Sequence, residues 1–156
     1  MVTWKEFAAA EPEMARAGRS LLNQFSVGLA FLATVRKDGA PRLHPVCPVL
    51  SDDRLFVLIT ATSPKCDDLL RDGRYALQTF PQPKAGSEEF YIAGKAVLVD
   101  ERAVRAAVLR DARHMAAESE TTFELWIDRV MHTTSAEVNT PQMRSVHRKW
   151  RAPRLK

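Results

Sequence analysis

The stretch LFVLITATSPKCDDLL, residues 55–70, is the most informative part of this sequence. Its first half, Leu55–Thr60, is an apolar run typical of a buried strand. Ser63 is a favourable helix N-cap, and the proline after it suits a first helical turn. Lys65 then places a mobile cation at a helix end whose unpaired N–H groups and dipole attract anions. We therefore predict a strand-to-helix turn that binds a phosphate group.

An alternative interpretation of this turn is an ordinary capped helix that binds no ligand. Asp67 and Asp68 favour it, because carboxylates in the first turn complement the helix dipole without any anion. The preceding strand favours the ligand instead. Arg42 and His44 are two residues apart and share one strand face, so a cation and an imidazole would lie near an aromatic anion. Such a pair is also common on a solvated face.

The remaining patterns predict a mainly β, antiparallel barrel with few helices. Helical spacing of apolar residues indicates an N-terminal helix over about 3–25, restarted at Pro12, and a helix over 101–117, in addition to the short helix over about 64–71 that ends near Gly73. The expected strands are 27–35, 41–50, 55–60, 75–80, 89–100 and 122–133. The Asp38-Gly39 turn makes the first three strands a meander, and Gly94 marks a bulge or a bend. The basic arm, about 143–156, adds a short strand or stays extended.

Composition and charge narrow the class of protein. The 156 residues suit a single domain, 1–156, and 46% hydrophobic with 27% charged residues is an ordinary globular composition. No apolar run reaches the roughly 20 residues of a membrane span, and no signal-peptide core precedes the first helix. We therefore expect a cytoplasmic protein that does not act on membranes. Cys47 and Cys66 have neither disulfide nor metal-site spacing, so we expect no metal.

The formal net charge is +4, and much of the excess lies in the C-terminal arm. A basic arm can contact nucleic acid through phosphates. The charge is modest, however, and the sequence lacks the motifs of the common DNA- and RNA-binding modules. A basic surface also suits an anionic small molecule. We favour the small molecule and expect no nucleic-acid partner.

Three stretches, taken in order, resemble the pyridoxamine 5′-phosphate oxidase-like, FMN-binding split β-barrel family. They are ATVRKDGAPRLHPV at 33–46, SPK at 63–65 followed by DLLRD at 68–72, and FYIAGKA at 90–96. An N-terminal helix, an apolar strand, a Lys-Asp-Gly turn and then Pro-x-x-x-Pro follow the order of that family's first hairpin. The resemblance covers nearly the whole chain. It implies a split β-barrel whose antiparallel strands have a Greek-key-like order.

The resemblance also implies a function. Its members are homodimers that hold FMN, or a related flavin-like cofactor, in clefts between the two subunits. This chain would then be a flavin-dependent oxidoreductase acting on a small molecule, with the chemistry supplied by the cofactor. The implied cofactor contacts are Arg42, His44, Pro45 and Val46 near the ring system, Thr60, Ser63 and Lys65 at the phosphate, and Trp150 and Arg151 from the C-terminal arm. No catalytic residue is assigned.

The chain departs from the vitamin B6 oxidases themselves at one informative place. Their Arg-Lys pair before the phosphate-binding helix is Pro64-Lys65 here, so one guanidinium is missing. We therefore expect a substrate other than pyridoxamine phosphate. Two alternatives stay open: a reductase that uses the deazaflavin F420, whose acidic tail suits the basic arm, and a flavin or haem carrier without turnover. The candidate haem ligands, His114, His132 and His147, have no supporting spacing.

Overall fold

An antiparallel sheet of eight strands dominates the computed structural model, which describes residues 1–82, 84–112 and 119–153. Four helices accompany it within those residues. The strands are β1 (Ala30–Val35), β2 (Pro41–Val46), β3 (Pro48–Ser51), β4 (Arg54–Thr60), β5 (Arg74–Thr79), β6 (Glu89–Leu98), β7 (Glu120–Ala136) and β8 (Arg144–Arg151). The helices are α1 (Trp4–Ala10), α2 (Pro12–Leu22), α3 (Pro64–Arg71) and α4 (Arg102–Asp111). The predicted class, a mainly β, antiparallel split barrel, is confirmed.

The order of the strands explains the barrel. It runs β2-β1-β5-β6-β7-β4-β3, with β8 added on β7. β2 and β3 are consecutive in the chain but lie at opposite ends of this order, joined through Cys47, so the sheet curls back on itself without closing. The predicted single strand over 41–50 and the three-stranded meander are wrong. Pro45 and Pro48 lack the N–H groups of an inner strand, which suits both segments to sheet edges.

The core is filled from the N-terminus. Trp4 and Phe7 on α1 are completely buried and pack with Phe90 of β6. The predicted helix over about 3–25 is in fact two helices that break at Glu11 and end at Leu22. The break lies just before the proline that restarts the helix, as residues before proline avoid the helical conformation. The two helices thus bury their apolar faces against the inner side of the sheet.

A second, smaller core lies under α4. Val108 on this helix is completely buried with Val49, Phe56 and Leu58 of β3 and β4. The described part of the helix ends at Asp111, so the end of the predicted helix over 101–117 lies outside the described residues. α4 therefore covers a part of the sheet that α1 and α2 do not reach.

β7 is the longest strand and connects both halves of the sheet. β6 pairs along one edge, while β4 pairs with Glu120–Glu124 and β8 pairs with Arg129–Ala136 on the other. Within the C-terminal arm, Arg144–Arg151 therefore form an eight-residue strand. The predicted bulge is also present, because the β6–β7 register shifts between Ala93 and Gly94. A Cβ atom at Gly94 would overlap the carbonyl oxygen of Trp126.

Replacing Gly94 with alanine is expected to destabilise the protein by about 2–3 kcal/mol, because the added methyl group forces the paired strands apart. The free energy of unfolding from urea denaturation measures this cost. The matched control is Gly39→Ala in the β1–β2 turn, where φ is +84° and the added Cβ meets no other atom. It should cost only about 1 kcal/mol, the penalty of the left-handed conformation. Equal costs for the two variants would contradict this role of the bulge.

Candidate functional site

The turn between β4 and α3 forms as the sequence predicts. The helix spans Pro64–Arg71 with Ser63 as its N-cap, and the Ser63 N–H donates to the Thr60 carbonyl at 3.0 Å. The hydroxyl of Ser63 does not cap the helix, however. This oxygen is buried and has no hydrogen-bond partner in the protein. Lys65 is the second residue of the helix and is partly exposed. The turn therefore places a buried, unpartnered hydroxyl and a cation at the start of the helix.

β2 presents its basic residues to the inner side of the sheet. Arg42 and His44 lie directly opposite Thr34 and Leu32 of β1, and opposite residues share a face. Thr34 and Leu32 are buried, so Arg42 and His44 point inward and are themselves only partly exposed. These two side chains therefore do not lie on a solvated face. Val46, the next residue on this side, lies in the core.

Asp68 joins α3 to these strands. Its side chain is only 3% exposed and accepts hydrogen bonds from Arg42 Nε at 2.7 Å, from Thr34 Oγ1 at 2.9 Å and from Arg71 at 3.1 Å. Burial alone would raise the pKa of this carboxyl, but the three hydrogen bonds together lower the pKa below its usual value. Asp68 is thus a charged cross-link between β1, β2 and α3, and it does more than complement the helix dipole.

Lys65 and His44 belong to the same cluster. Lys65 precedes Asp68 by three residues, so both side chains lie on one face of α3. Burial, followed by the charges of Lys65 and Arg42, lowers the pKa of His44, and Asp68 opposes this only partly. The Nε2 atom of His44 is buried without a hydrogen-bond partner. His44 therefore lies on the side of β2 that faces α3, within the electrostatic influence of Lys65, Arg42 and Asp68.

A second candidate region lies on the outer face of β6, β7 and β8. It is a groove of about 570 Å³. Its apolar part comprises Tyr91, Val130, Met131 and Trp150, and its cations are Arg129, Lys149 and Arg151. Trp150 and Arg151 were predicted from the sequence, whereas Tyr91, Met131 and Arg129 were not. The alternation of side chains along β6 and β7 shows which face of the sheet each of these residues lies on, but not which residues of other strands lie beside it.

Trp150 has two roles in this groove. Its ring packs on Phe7 of α1, with ring centroids 5.1 Å apart, while part of the residue lines the groove. Arg151, the next residue on the strand, points to the opposite face and is exposed. Trp150 therefore anchors β8 to the core, and the cations beside it, including Arg151, line the groove.

Pro45 also lies on the outer face, opposite Phe31 and away from the cluster around Lys65. The structure thus ties Arg42 to α3 through Asp68 and places His44 under the influence of Lys65, while Thr60 and Ser63 are joined by the backbone hydrogen bond of the turn. It places Pro45, Trp150 and Arg151 elsewhere in the same chain. The pairing of β7 gives the separation, because Thr60 pairs with Glu120 whereas Trp150 pairs with Val130. Ten residues of strand span about 33 Å, so the two groups of residues lie far apart along the sheet.

The sequence model of the pyridoxamine 5′-phosphate oxidase family matches residues 15–143, which include β1 to β7 and α3. The protein belongs to this family. A comparison with curated proteins found no match.

Solved structures share the fold at low sequence identity. A haem-binding protein from Mycobacterium smegmatis is 19% identical with a TM-score of 0.60; the match covers 83% of this chain and 57% of that protein. HutZ, the haem storage protein of Vibrio cholerae, is 16% identical with a TM-score of 0.58, covering 76% of this chain and 89% of HutZ. A Listeria innocua protein assigned by name to the pyridoxamine 5′-phosphate oxidases is 16% identical with a TM-score of 0.58, covering 74% and 94%. These likenesses establish the fold alone.

Within 1–82, 84–112 and 119–153, no three His, Cys, Asp or Glu side chains converge in a way that could hold a metal ion. Among the described helices, none has both the length and the apolar character needed to cross a bilayer. His114 lies outside the described residues.

Replacing Asp68 with asparagine is expected to lower the free energy of unfolding at pH 7 by about 1.5–3 kcal/mol, the scale of hydrogen bonds to a charged group. The pKa of Asp68 is lowered in the folded protein, so its ion pairs stabilise at neutral pH and are lost as pH falls through that pKa. The difference between the wild-type protein and Asp68→Asn should therefore vanish at acid pH. Urea denaturation across the pH range measures it.

Asp67→Asn is the matched control, because Asp67 is an exposed residue on the same helix turn. It should change stability by about 0.5 kcal/mol or less at every pH. A loss for Asp68→Asn that persists unchanged at acid pH would show that the effect does not come from the carboxylate charge.

Proposed function

We propose that this protein is an FMN-dependent oxidoreductase that acts on a small molecule in the cytoplasm. The observation that carries the proposal is a pair of buried polar atoms without protein partners, the Ser63 hydroxyl at the start of α3 and the His44 Nε2 atom on β2, together with the nearby cation of Lys65. Buried polar groups are normally hydrogen-bonded, so such a group indicates a ligand. A phosphate monoester fits these donors. The family to which the chain belongs is named after pyridoxamine 5′-phosphate oxidase, a flavin enzyme.

Different residues would bind different parts of FMN. Thr60, Ser63 and Lys65 would bind its phosphate, and Arg42, fixed by Asp68, would supply the guanidinium that Pro64 does not. When bound, the flavin would exchange electrons between a donor and the substrate. The apolar groove with Tyr91 and its cations would accept the ring system and stabilise negative charge on it. The substrate is expected to differ from pyridoxamine phosphate.

The cofactor site is proposed to form between two copies of the chain. The residues around Lys65 would form one half-site, and the groove that includes Arg151 would form the other. These half-sites are too far apart to hold one flavin within a single chain. The outer face of the sheet offers a surface for the second copy, because an alanine row crosses three strands through Ala33, Ala76 and Ala93. Leu43, at one end of this row, is 63% exposed. A homodimer would cover this surface and bring together complementary half-sites.

Haem binding is the second candidate function, and the solved structures favour it. Two of the similar proteins are described as a haem-binding and a haem storage protein. The described histidines give it limited support. His132 is hydrogen-bonded to Glu88 at 2.7 Å and His147 to Thr133 at 3.0 Å, whereas His44 is available. Haem ligation by His44 would not use the N-terminal donors of α3, so FMN accounts for more of the site.

Lys65→Ala is expected to weaken FMN binding by about 1.5–3 kcal/mol, the contribution of a charge-assisted hydrogen bond to the phosphate. Titration of the cofactor-free protein with FMN, followed by the flavin absorbance near about 450 nm, measures the change. The matched control is Lys5→Ala on the exposed side of α1, which should bind FMN as the wild-type protein does.

Three other outcomes would change the proposed site, cofactor or function. Equal FMN affinity in Lys65→Ala and the wild-type protein would place the phosphate elsewhere. Binding of F420 but not FMN would identify the deazaflavin reductase. Binding of haem together with absence of flavin binding would overturn the oxidoreductase proposal.

Ala76→Arg is expected to convert the dimer into a monomer of 17.6 kDa, because an arginine in the centre of the alanine row would hold the two sheets apart. The variant should also lose FMN binding, since the half-sites no longer meet. Native mass and FMN titration test both, with Ala10→Arg on the exposed side of α1 as the control. A folded Ala76→Arg variant that remains dimeric would contradict this interface.

A further inference from the structure

We propose that His44 is a proton-linked contact of the cofactor phosphate: its Nε2 atom donates to the anion, and the imidazole takes up a proton when the anion binds. This inference rests on the proposed phosphate site at the start of α3 and assigns His44 to the phosphate end of the cofactor. The resemblance to the family had implied the ring system instead.

The position of the imidazole supports this assignment. His44 lies on the inner side of β2, two residues from Arg42, whose guanidinium contacts Asp68 of α3 at 2.7 Å. Lys65 lies on the same face of that helix, three residues before Asp68. The Nε2 atom is buried and makes no hydrogen bond. The buried nitrogen of the imidazole is thus the one that lacks a hydrogen-bond partner.

The charges around His44 decide its protonation. Two cations face it, Arg42 from its own strand and Lys65 from α3, and one anion, Asp68, also from α3. Its neighbours on β1, Leu32 and Thr34, are uncharged. Burial is the largest cause that lowers the pKa of His44, and the two cations lower it further than Asp68 can restore. Without a ligand the imidazole is therefore neutral at pH 7.

A bound anion would change the pKa of His44 in the opposite direction. A dianion between Lys65 and His44 offsets the cationic field and gives Nε2 an acceptor, so the pKa of His44 rises. Solvent supplies the proton, and no other bond is made or broken. By linkage, an anion that raises the pKa of a group binds more tightly as pH falls towards that pKa. The affinity of this site should therefore increase on acidification even for an anion whose own charge is constant.

Sulfate is the appropriate probe, because it remains a dianion throughout the relevant range, whereas the second ionisation of a phosphate monoester lies near about pH 6. Calorimetric titration of the cofactor-free, 156-residue chain is expected to give sulfate an affinity about three- to tenfold higher at pH 5.5 than at pH 7.5. Titrations in buffers of different ionisation enthalpy should show proton uptake on binding.

His44→Gln is the decisive variant, because an amide can donate a hydrogen bond but cannot titrate. It should bind sulfate with the same affinity at both pH values and without proton uptake. His132→Gln is the matched control and should keep the pH dependence of the wild-type protein, since His132 is bonded to Glu88 away from α3. Lys65→Ala should lose sulfate affinity at both pH values.

The outcomes separate the two proposals. Sulfate binding that is independent of pH in the wild-type protein would overturn the role of His44 and leave the phosphate site intact. A pH dependence that persists in His44→Gln would also overturn it. FMN binding without any sulfate binding would place the phosphate away from His44. Failure of both sulfate and FMN to bind would overturn the proposed function itself.

Discussion

One buried carboxylate, Asp68, fixes the geometry on which the candidate site depends. It ties α3 to β1 through Thr34 and to β2 through Arg42. A buried carboxylate is stabilising only when it is paired and hydrogen-bonded, and Asp68 has three partners for its two oxygens. The helix is consequently held with its N-terminus beside the inner face of β2. The partners of Asp68 are Thr34, Arg42 and Arg71, so neither Lys65 nor His44 takes part in this network.

Sequence patterns predicted the structure correctly where the contacts that determine it lie within a few residues of one another. The bounds of α3 followed from its capping residues, and the bulge at Gly94 followed from a glycine within a strand. The split of the segment 41–50 into two edge strands could not be predicted, because the destination of each half depends on pairing with β1 and β4. The break at Glu11 was visible as a proline, but only packing against the core showed that both helices are buried.

The same distinction applies to the site. Ser63 and Lys65 could be recognised from one turn of sequence, since N-capping and anion attraction operate within a few residues. The role of Arg42 could not, because its Asp68 partner lies in another element and takes up one side of the guanidinium. The groove residues Tyr91 and Arg129 were missed for a similar reason. They become neighbours only through the register of β6 on β7.

The strand order also has a consequence for the way in which the chain reaches its native state. β4, which precedes the candidate phosphate site, has β7 as its inner neighbour, so one side of β4 stays unpaired until residues 120–124 are in place. Sheets that depend on such distant pairings fold slowly, in about milliseconds to seconds, because loop closure must precede the contacts that reward it. The turn that holds Lys65 is local in sequence, yet the strand before it depends on a pairing about 60 residues further along the chain.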